Sequence, residues 1–309
     1  MTTRSAALDS QQTADALPWD ALAAEVRSLL TDPTVQVPAR LVQPLPGGGS
    51  LFVMPALDAR VAITKLITFT PANAGTGRAT IQGDVVVFDV ATGERRVILH
   101  GPTVTARRTA AVSLLAAQRL APNPHGPLLV VGAGVQGLAH LEAFADGLGV
   151  REVRVASRSA SSAAALVRHA QALGLHARVV ADANAALAEC PLVVTCTPAA
   201  EVVLRGMPRE DAFVAAVGAF TPRMVELAPR LCRHFAELGT VVVDTTDAQH
   251  EAGDLLQAGL DVSAFASLAD VVRGSAPAVQ GPVLFKSCGW AGWDLAAARL
   301  VLLPRDGQS

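Results

Sequence analysis

Basic runs, paired cysteines and long apolar stretches are all missing from this sequence of 309 residues, and each absence removes a class of function. A formal charge of -2 supplies no global positive field, and no segment interleaves basic with aromatic side chains, so no nucleic-acid partner is expected. The four cysteines, Cys190, Cys196, Cys232 and Cys288, never take CxxC spacing. They fit reduced, mostly buried thiols better than a disulfide framework. The seven histidines form no HExxH and no Cys-His cluster, and no carboxylates are spaced to bind an ion, so no metal is expected. Asp9, Asp15 and Asp20 stand where a secretory signal would be basic and then apolar, and no uninterrupted apolar stretch is long enough for a bilayer. A cytoplasmic protein without a membrane partner is expected. What is present is material for a core: 51% of the residues are hydrophobic and 17% charged, which suits two domains.

About the first fifteen residues are polar and small, and read as a frayed lead-in to a helix over "WDALAAEVRSLL", residues 19–30. After "PLPGGG", a loop by composition, come "SLFVMPAL", "VAITKLITF", "ATIQGDVVVFDV" and "RRVILHG", strand-like runs without intervening helices. They predict an antiparallel sheet, with a hairpin turn at "VATGERRV". "TARRTAAVSLLAAQRLA" then reads as a helix opened by a threonine-rich cap. From Leu128 to about Ser275 apolar runs ("LLVVGAG", "EVRVAS", "ARVV", "LVVTCT", "FVAAVGAF", "VVVDTT") alternate with alanine-rich amphipathic segments. That alternation predicts a doubly wound parallel sheet in an α/β fold. The last stretch, "PVLFKSCGWAGWDLAAARLVLL", reads as a strand and a helix that pack back on the first domain.

"LLVVGAGVQGLAHLEAF" places Gly132, Gly134 and Gly137 in GxGxxG order between a strand and a helix. The first glycine allows a tight turn, the second close approach to a pyrophosphate, and the third close packing of helix on strand; Val135 and Gln136 complete the loop. Roughly twenty residues on, where NAD-binding folds place an acid on the ribose, stand Ser157, Arg158 and Ser159. An arginine and two hydroxyls suit the 2'-phosphate of NADPH. Arg158 stacked on adenine, with NADH also used, stays open. Thr197 and Pro198 end one strand and Gly218 ends another, so these loops should border the nicotinamide ribose.

Outside that region charged residues interrupt apolar runs. Lys65 in "VAITKLITF" calls for a partner or ligand unless it lies on an edge strand facing solvent. Arg40 follows "VQVP", and Arg107 and Arg108 sit near an expected helix start, where they oppose the dipole and favour an anionic ligand.

Nearly the whole chain resembles the ornithine cyclodeaminase/mu-crystallin family, through "MPAL", "TKLITFTPAN", "ARRTAAVSLLAAQRLA", "VVGAGVQG", "VGAFTPRMVEL", "EAGDL" and "FKSCGWAGWDLAAARL". The resemblance implies a homodimer. A discontinuous α+β substrate and dimerisation domain, residues 1–120 with 281–309, would flank a Rossmann dinucleotide-binding domain, 121–280. It further implies that Arg40 and Lys65 hold a substrate carboxylate, that Thr80 and Arg108 approach the cofactor, and that Ser287 lies near the nicotinamide, with Phe220 and Cys288 beside the substrate. One position departs from the cyclodeaminases. Two residues after Gly218 they carry an aspartate that meets the substrate amine; here Phe220 stands there, and a phenyl ring accepts no proton. The family's imine reductases look like this sequence at "VGAFTP" and "FKS". The implied activity is therefore NAD(P)H-dependent reduction of a small cyclic imino acid, Δ1-pyrroline-2-carboxylate or Δ1-piperideine-2-carboxylate, to L-proline or L-pipecolate. The alternatives are an alanine-type amino-acid dehydrogenase, an ornithine cyclodeaminase, and a non-catalytic NADPH-binding protein of the crystallin type.

Overall fold

In "VAITKLITF" Val61, Ile63, Lys65 and Ile67 are buried while Ala62, Thr64, Leu66 and Thr68 are not, the period of a strand covered on one face. The computed structural model, which describes residues 6–73, 76–198 and 201–303, resolves the chain into two units, Met1–Arg108 with Trp290–Ser309, and Thr109–Gly289.

The first unit holds a sheet of β1 (Ala6–Ala7), β2 (Leu41–Leu45), β3 (Gly49–Leu57), β4 (Val61–Phe69), β5 (Ile81–Asp89) and β6 (Arg95–His100), in the order β1-β6-β5-β4-β3-β2. All neighbours are antiparallel except β1 with β6. Helices Trp19–Thr31 and Ala291–Leu302 pack together, and the latter covers β3, β4 and β5. Two expectations change here. Residues 6–15 form regular structure: β1 adds to β6, and Asp9 with Gln12 forms a capping box on helix Ser10–Asp15. Pro44 and Leu45, placed in a loop by composition, belong to β2, an edge strand, where a proline costs no ladder bond.

In the second unit β7 (Leu128–Val131), β8 (Glu152–Ala156), β9 (His176–Val179), β10 (Leu192–Thr195), β11 (Phe213–Ala216), β12 (Thr240–Val243), β13 (Ala266–Ser267) and β14 (Val283–Lys286) form one parallel sheet, ordered β13-β12-β14-β11-β10-β7-β8-β9. Buried on both faces, β7, β10, β11 and β14 are continuous buried runs, as a doubly wound sheet requires. The chain leaves β7 toward β8 on one side and returns to β10 on the other, so the switch point lies between β7 and β10. β14 differs from expectation: instead of joining the first domain, it inserts between β11 and β12.

The helix read as starting near Thr105 begins at Gly101. Arg107 and Arg108 therefore lie more than a turn inside it, where the dipole argument has no force. Arg107 Nε donates to Leu17 O at 2.7 Å and its guanidinium stacks 3.8 Å from the Trp19 ring centroid, which is packing chemistry.

Candidate functional site

At the switch point the chain turns out of β7 through Gly132, whose φ of 108° suits glycine. A Cβ there would meet Cys196 O at 2.8 Å, and one at Gly137 would strike Gly132 O; both glycines serve close packing. Gly134 is different. An added Cβ would meet nothing within 4 Å, and as N-cap of helix Val135–Gly147 it leaves the first N–H groups open toward a ligand. Gly132, Gly134, Ser157, Arg158, Ser159, Thr197 and Pro198 together line a groove of about 600 Å³. Ser159 also caps helix Ala160–Ala172, its hydroxyl oxygen accepting from Ser162 N at 3.2 Å, so a second helix N-terminus meets the exposed Arg158. Open donors at one helix start and a cation at another are what a dinucleotide's pyrophosphate and ribose phosphate need. The residues present fit that cofactor. Val135 is exposed beside the turn, and the Gln136 carbonyl accepts from His140 Nδ1 at 2.7 Å. Burial pushes the His140 imidazole down to about 4, partly offset by that bond, so it is neutral, with Nε2 free to accept from Ser113 Oγ at 3.0 Å.

One carboxylate ties the loops after β10 and β11 together. Glu226 Oε1 accepts from Thr197 N at 2.7 Å and Thr197 Oγ1 at 2.9 Å, and Oε2 from Gly218 N at 2.7 Å and Ala219 N at 3.2 Å. Gly218 is required because a Cβ would meet the Thr197 backbone and Glu226 Oε1. Asp254 Oδ1 in turn accepts from Glu226 N at 2.6 Å and Leu227 N at 2.9 Å, while Oδ2 pairs at 2.8 Å with Lys286 Nζ, which donates to Ala219 O at 2.5 Å. Glu226, Asp254 and Lys286 are all essentially inaccessible. Burial alone would push the Lys286 ammonium down; Asp254, with Cys288 and Glu226 adding, holds it above its ordinary value.

Asp244 fixes the turn after β14. Its Oδ2 accepts from Ser287 Oγ at 2.8 Å, Cys288 N at 3.0 Å and Gly289 N at 2.8 Å. Ser287 and Cys288 are buried, burial holds the Cys288 thiol far above its usual value, and Phe220 is 45% exposed.

The first unit carries a separate cluster. Lys65 Nζ lies 3.1 Å from both carboxylate oxygens of Asp294, and Arg108 Nε lies 3.5 Å from Asp294 Oδ1. Lys65, Arg108 and Asp294 are 2%, 7% and 0% exposed, so Lys65 is no solvent-facing edge residue. Arg40 is exposed, yet its charge acts on Lys65. Thr80 is half-buried in the loop before β5, its carbonyl accepting from Thr70 N at 2.8 Å.

The sequence reading thus brings Arg40, Lys65 and Arg108 into one charged cluster and seven cofactor candidates into one groove. It missed Asp294, Glu226, Asp254 and Asp244, and also Asp182, which lines the groove while its Oδ1 accepts from Asn184 N at 2.8 Å. Among the described residues no group of three or more His, Cys, Asp or Glu is placed to hold a metal ion, no helix is long and apolar enough to cross a membrane, and the four cysteines are free.

Known proteins share both sequence and fold. Δ1-pyrroline-2-carboxylate reductase 1 of Burkholderia multivorans is 40% identical over 304 residues, 96% of this chain and 94% of that protein. The Δ1-pyrroline-2-carboxylate/Δ1-piperideine-2-carboxylate reductase of Azospirillum brasilense is 40% identical over 296 residues, 94% and 93% of the two chains. Among solved structures, the Thermococcus litoralis Δ1-pyrroline-2-carboxylate reductase in complex with NADH and L-proline superposes with a TM-score of 0.82 at 22% identity, covering 95% and 92%; this supports the fold. A family profile matches residues 8–303, and with it the chain belongs to the ornithine cyclodeaminase/mu-crystallin family.

Proposed function

We propose that the chain reduces Δ1-pyrroline-2-carboxylate, and Δ1-piperideine-2-carboxylate as a second substrate, to L-proline and L-pipecolate with NAD(P)H. The observation that carries the reading is the Lys65-Asp294-Arg108 cluster. It buries two cations on one carboxylate, with Arg40 acting on it, and that surplus calls for a small anionic acid. The 40% identity to reductases named for these imines supports the same reaction.

The bound dinucleotide supplies the hydride. The chain's part is to hold and to shape. The Gly132–Gly137 turn would hold the pyrophosphate, Ser157, Arg158 and Ser159 the adenosine ribose with its phosphate, and the loops at Thr197, Pro198 and Gly218, with Ser287, the nicotinamide riboside. Arg40 clamps the substrate carboxylate and Lys65 assists it. Phe220 and Cys288 provide an apolar wall, and the amine-pairing carboxylate of the cyclodeaminases has no counterpart at Phe220. Holding the reactants in line supplies most of the rate. Leu41, Val53 and Leu66 lie side by side across β2, β3 and β4, with Leu41 58% and Leu66 44% exposed. An apolar ladder open to water supports a homodimer.

The test follows NADPH and NADH oxidation at fixed enzyme with Δ1-pyrroline-2-carboxylate, pyruvate plus ammonia, and buffer alone, with ammonia release from ornithine assayed separately. Turnover with the cyclic imine alone is expected; nucleotide binding without it would favour the crystallin-type alternative. In Arg40→Ala the KM for the imine should rise about 100-fold through loss of a charge-assisted pair, with the KM for NADPH unchanged. Arg158→Ala should raise the KM for NADPH by about 10- to 100-fold and leave that for NADH unaltered. An equal rise for both nucleotides would assign Arg158 to adenine stacking.

A further inference from the structure

Lys65 presents its ammonium symmetrically to Asp294, 3.1 Å from each oxygen, with only a sliver of the lysine side chain open to solvent. The groups acting on it come from every side. Helix Ala291–Leu302 contributes Asp294, helix Gly101–Leu120 contributes Arg108, and the segment before β2 contributes Arg40. Its register partners on β3 and β5, Met54 and Val85, carry no charge. Burial disfavours the ammonium, and both arginines repel it. Asp294 is the opposing influence, and it also pairs with Arg108. A lysine so placed keeps its proton only while that carboxylate stays ionised.

We propose that Asp294 is a positioning residue for proton transfer: it holds Lys65 Nζ protonated and aimed, and Lys65 gives that proton to the imine nitrogen as hydride reaches the imine carbon. The proposal rests on the ketimine-reductase reading above. The step balances. The hydride's two electrons form the new C–H bond, the C=N π pair moves to nitrogen, and the N–H bond forms as Nζ–H breaks. The nucleotide is oxidised and the imine reduced. Lys65 is left neutral and takes a proton back from water before the next turnover. Burial, opposed by Asp294 and reinforced by Arg108 and Arg40, brings the Lys65 ammonium down to about 8, in the range where a general acid both holds and releases its proton near neutrality.

The experiment is the pH profile of kcat/KM for Δ1-pyrroline-2-carboxylate with NADPH, on the full chain. The protonated form is the active one, so wild-type activity should fall as pH rises through about 8. In Asp294→Asn the opposing charge is gone and the falling limb should move down by at least about one unit. At pH 8 that variant should be roughly 100-fold slower, recovering to within about tenfold of wild type near pH 6. Lys65→Arg keeps the positive charge and cannot release its proton. Its kcat should drop roughly 100-fold at every pH, with a KM for the imine within about threefold of wild type and no limb near 8. An Asp294→Asn limb at the wild-type midpoint overturns the proposal. A limb that persists in Lys65→Arg overturns it too, whether or not Asp294→Asn folds, because it would belong to the imine itself. A wild-type protein that oxidises no NADPH with cyclic imines fails at the earlier step, and both readings fall together.

Discussion

Lys286→Met should destabilise the second unit by about 4 kcal/mol, a loss read from the urea midpoint at constant m. The substitution preserves much of the side chain's length, so the expected cost is electrostatic. It strands Asp254, whose Oδ2 sits 2.8 Å from the ammonium, in a place without water. Glu226 loses an attractive charge as well; its carboxyl already stands above the ordinary range because burial outweighs the pull of Lys286 and the bonds from Thr197. The pH dependence separates this cause from a packing defect. Without the pull of Lys286 the Glu226 carboxyl, already raised by burial, titrates at a still higher pH folded than unfolded, so the folded state binds more protons and stability rises as pH falls. The gap between variant and wild type should narrow between pH 8 and pH 5. A gap that stays constant with pH would assign the loss to packing. Because Lys286 also donates to Ala219 O, the surviving folded fraction should bind nucleotide more weakly.

Arg299→Ala should cost about as much in the first unit, about 3–5 kcal/mol. One guanidinium, 6% exposed, meets Glu25 Oε1 at 2.6 Å through Nε and Asp32 Oδ2 at 3.0 Å and Asp58 Oδ2 at 3.2 Å through Nη1. Those carboxylates come from helix Trp19–Thr31, its C-terminal cap and the β3–β4 turn, where Asp58 Oδ1 also accepts from Arg60 N at 2.6 Å and Val61 N at 2.7 Å. Without the arginine, three acidic groups face one another around a void. Burial already holds the Glu25 carboxyl above its usual range against the pull of Arg299, and removal of the cation leaves that penalty unopposed. Arg299→Lys, which keeps the charge and loses the forked geometry, should recover part of the loss. Thermal unfolding of the three proteins in one buffer decides it; an Arg299→Ala midpoint equal to wild type would reduce the network to surface-like pairs.

Local pattern made much of this architecture legible. The alternation along Val61–Phe69, the buried runs of β7 and β10 and the glycine turn each depend on neighbours within a few residues, and periodicity reports such neighbours directly. Arg40, Lys65 and Arg108 were legible for a related reason: a charge inside an apolar segment needs an explanation wherever it points. The same rule, applied to "WAGWDLAAARL" and "VLFKS", flags Asp294, Arg299 and Lys286. What it cannot supply is pairing, since Lys65 and Asp294 lie 229 positions apart and no spacing links them. The Arg107 reading failed because the helix begins several residues earlier, at Gly101, and a dipole argument depends on the terminal turn. Residues 281–309 were misassigned in part because "PVLFKS" says strand without saying in which sheet.

The place of Val283–Lys286 governs the order in which the molecule can be made. Its flanks, β11 and β12, pair with it and not with each other, so a chain emerging from the ribosome carries two bare strand edges until this later segment is synthesised. During that interval β12 and β13 have no ladder to the rest of their sheet, and exposed edges of this kind invite pairing between nascent chains. Closure of the sheet therefore waits for this one strand, and a chain cut just before Val283 should yield aggregate in place of a smaller nucleotide-binding fragment.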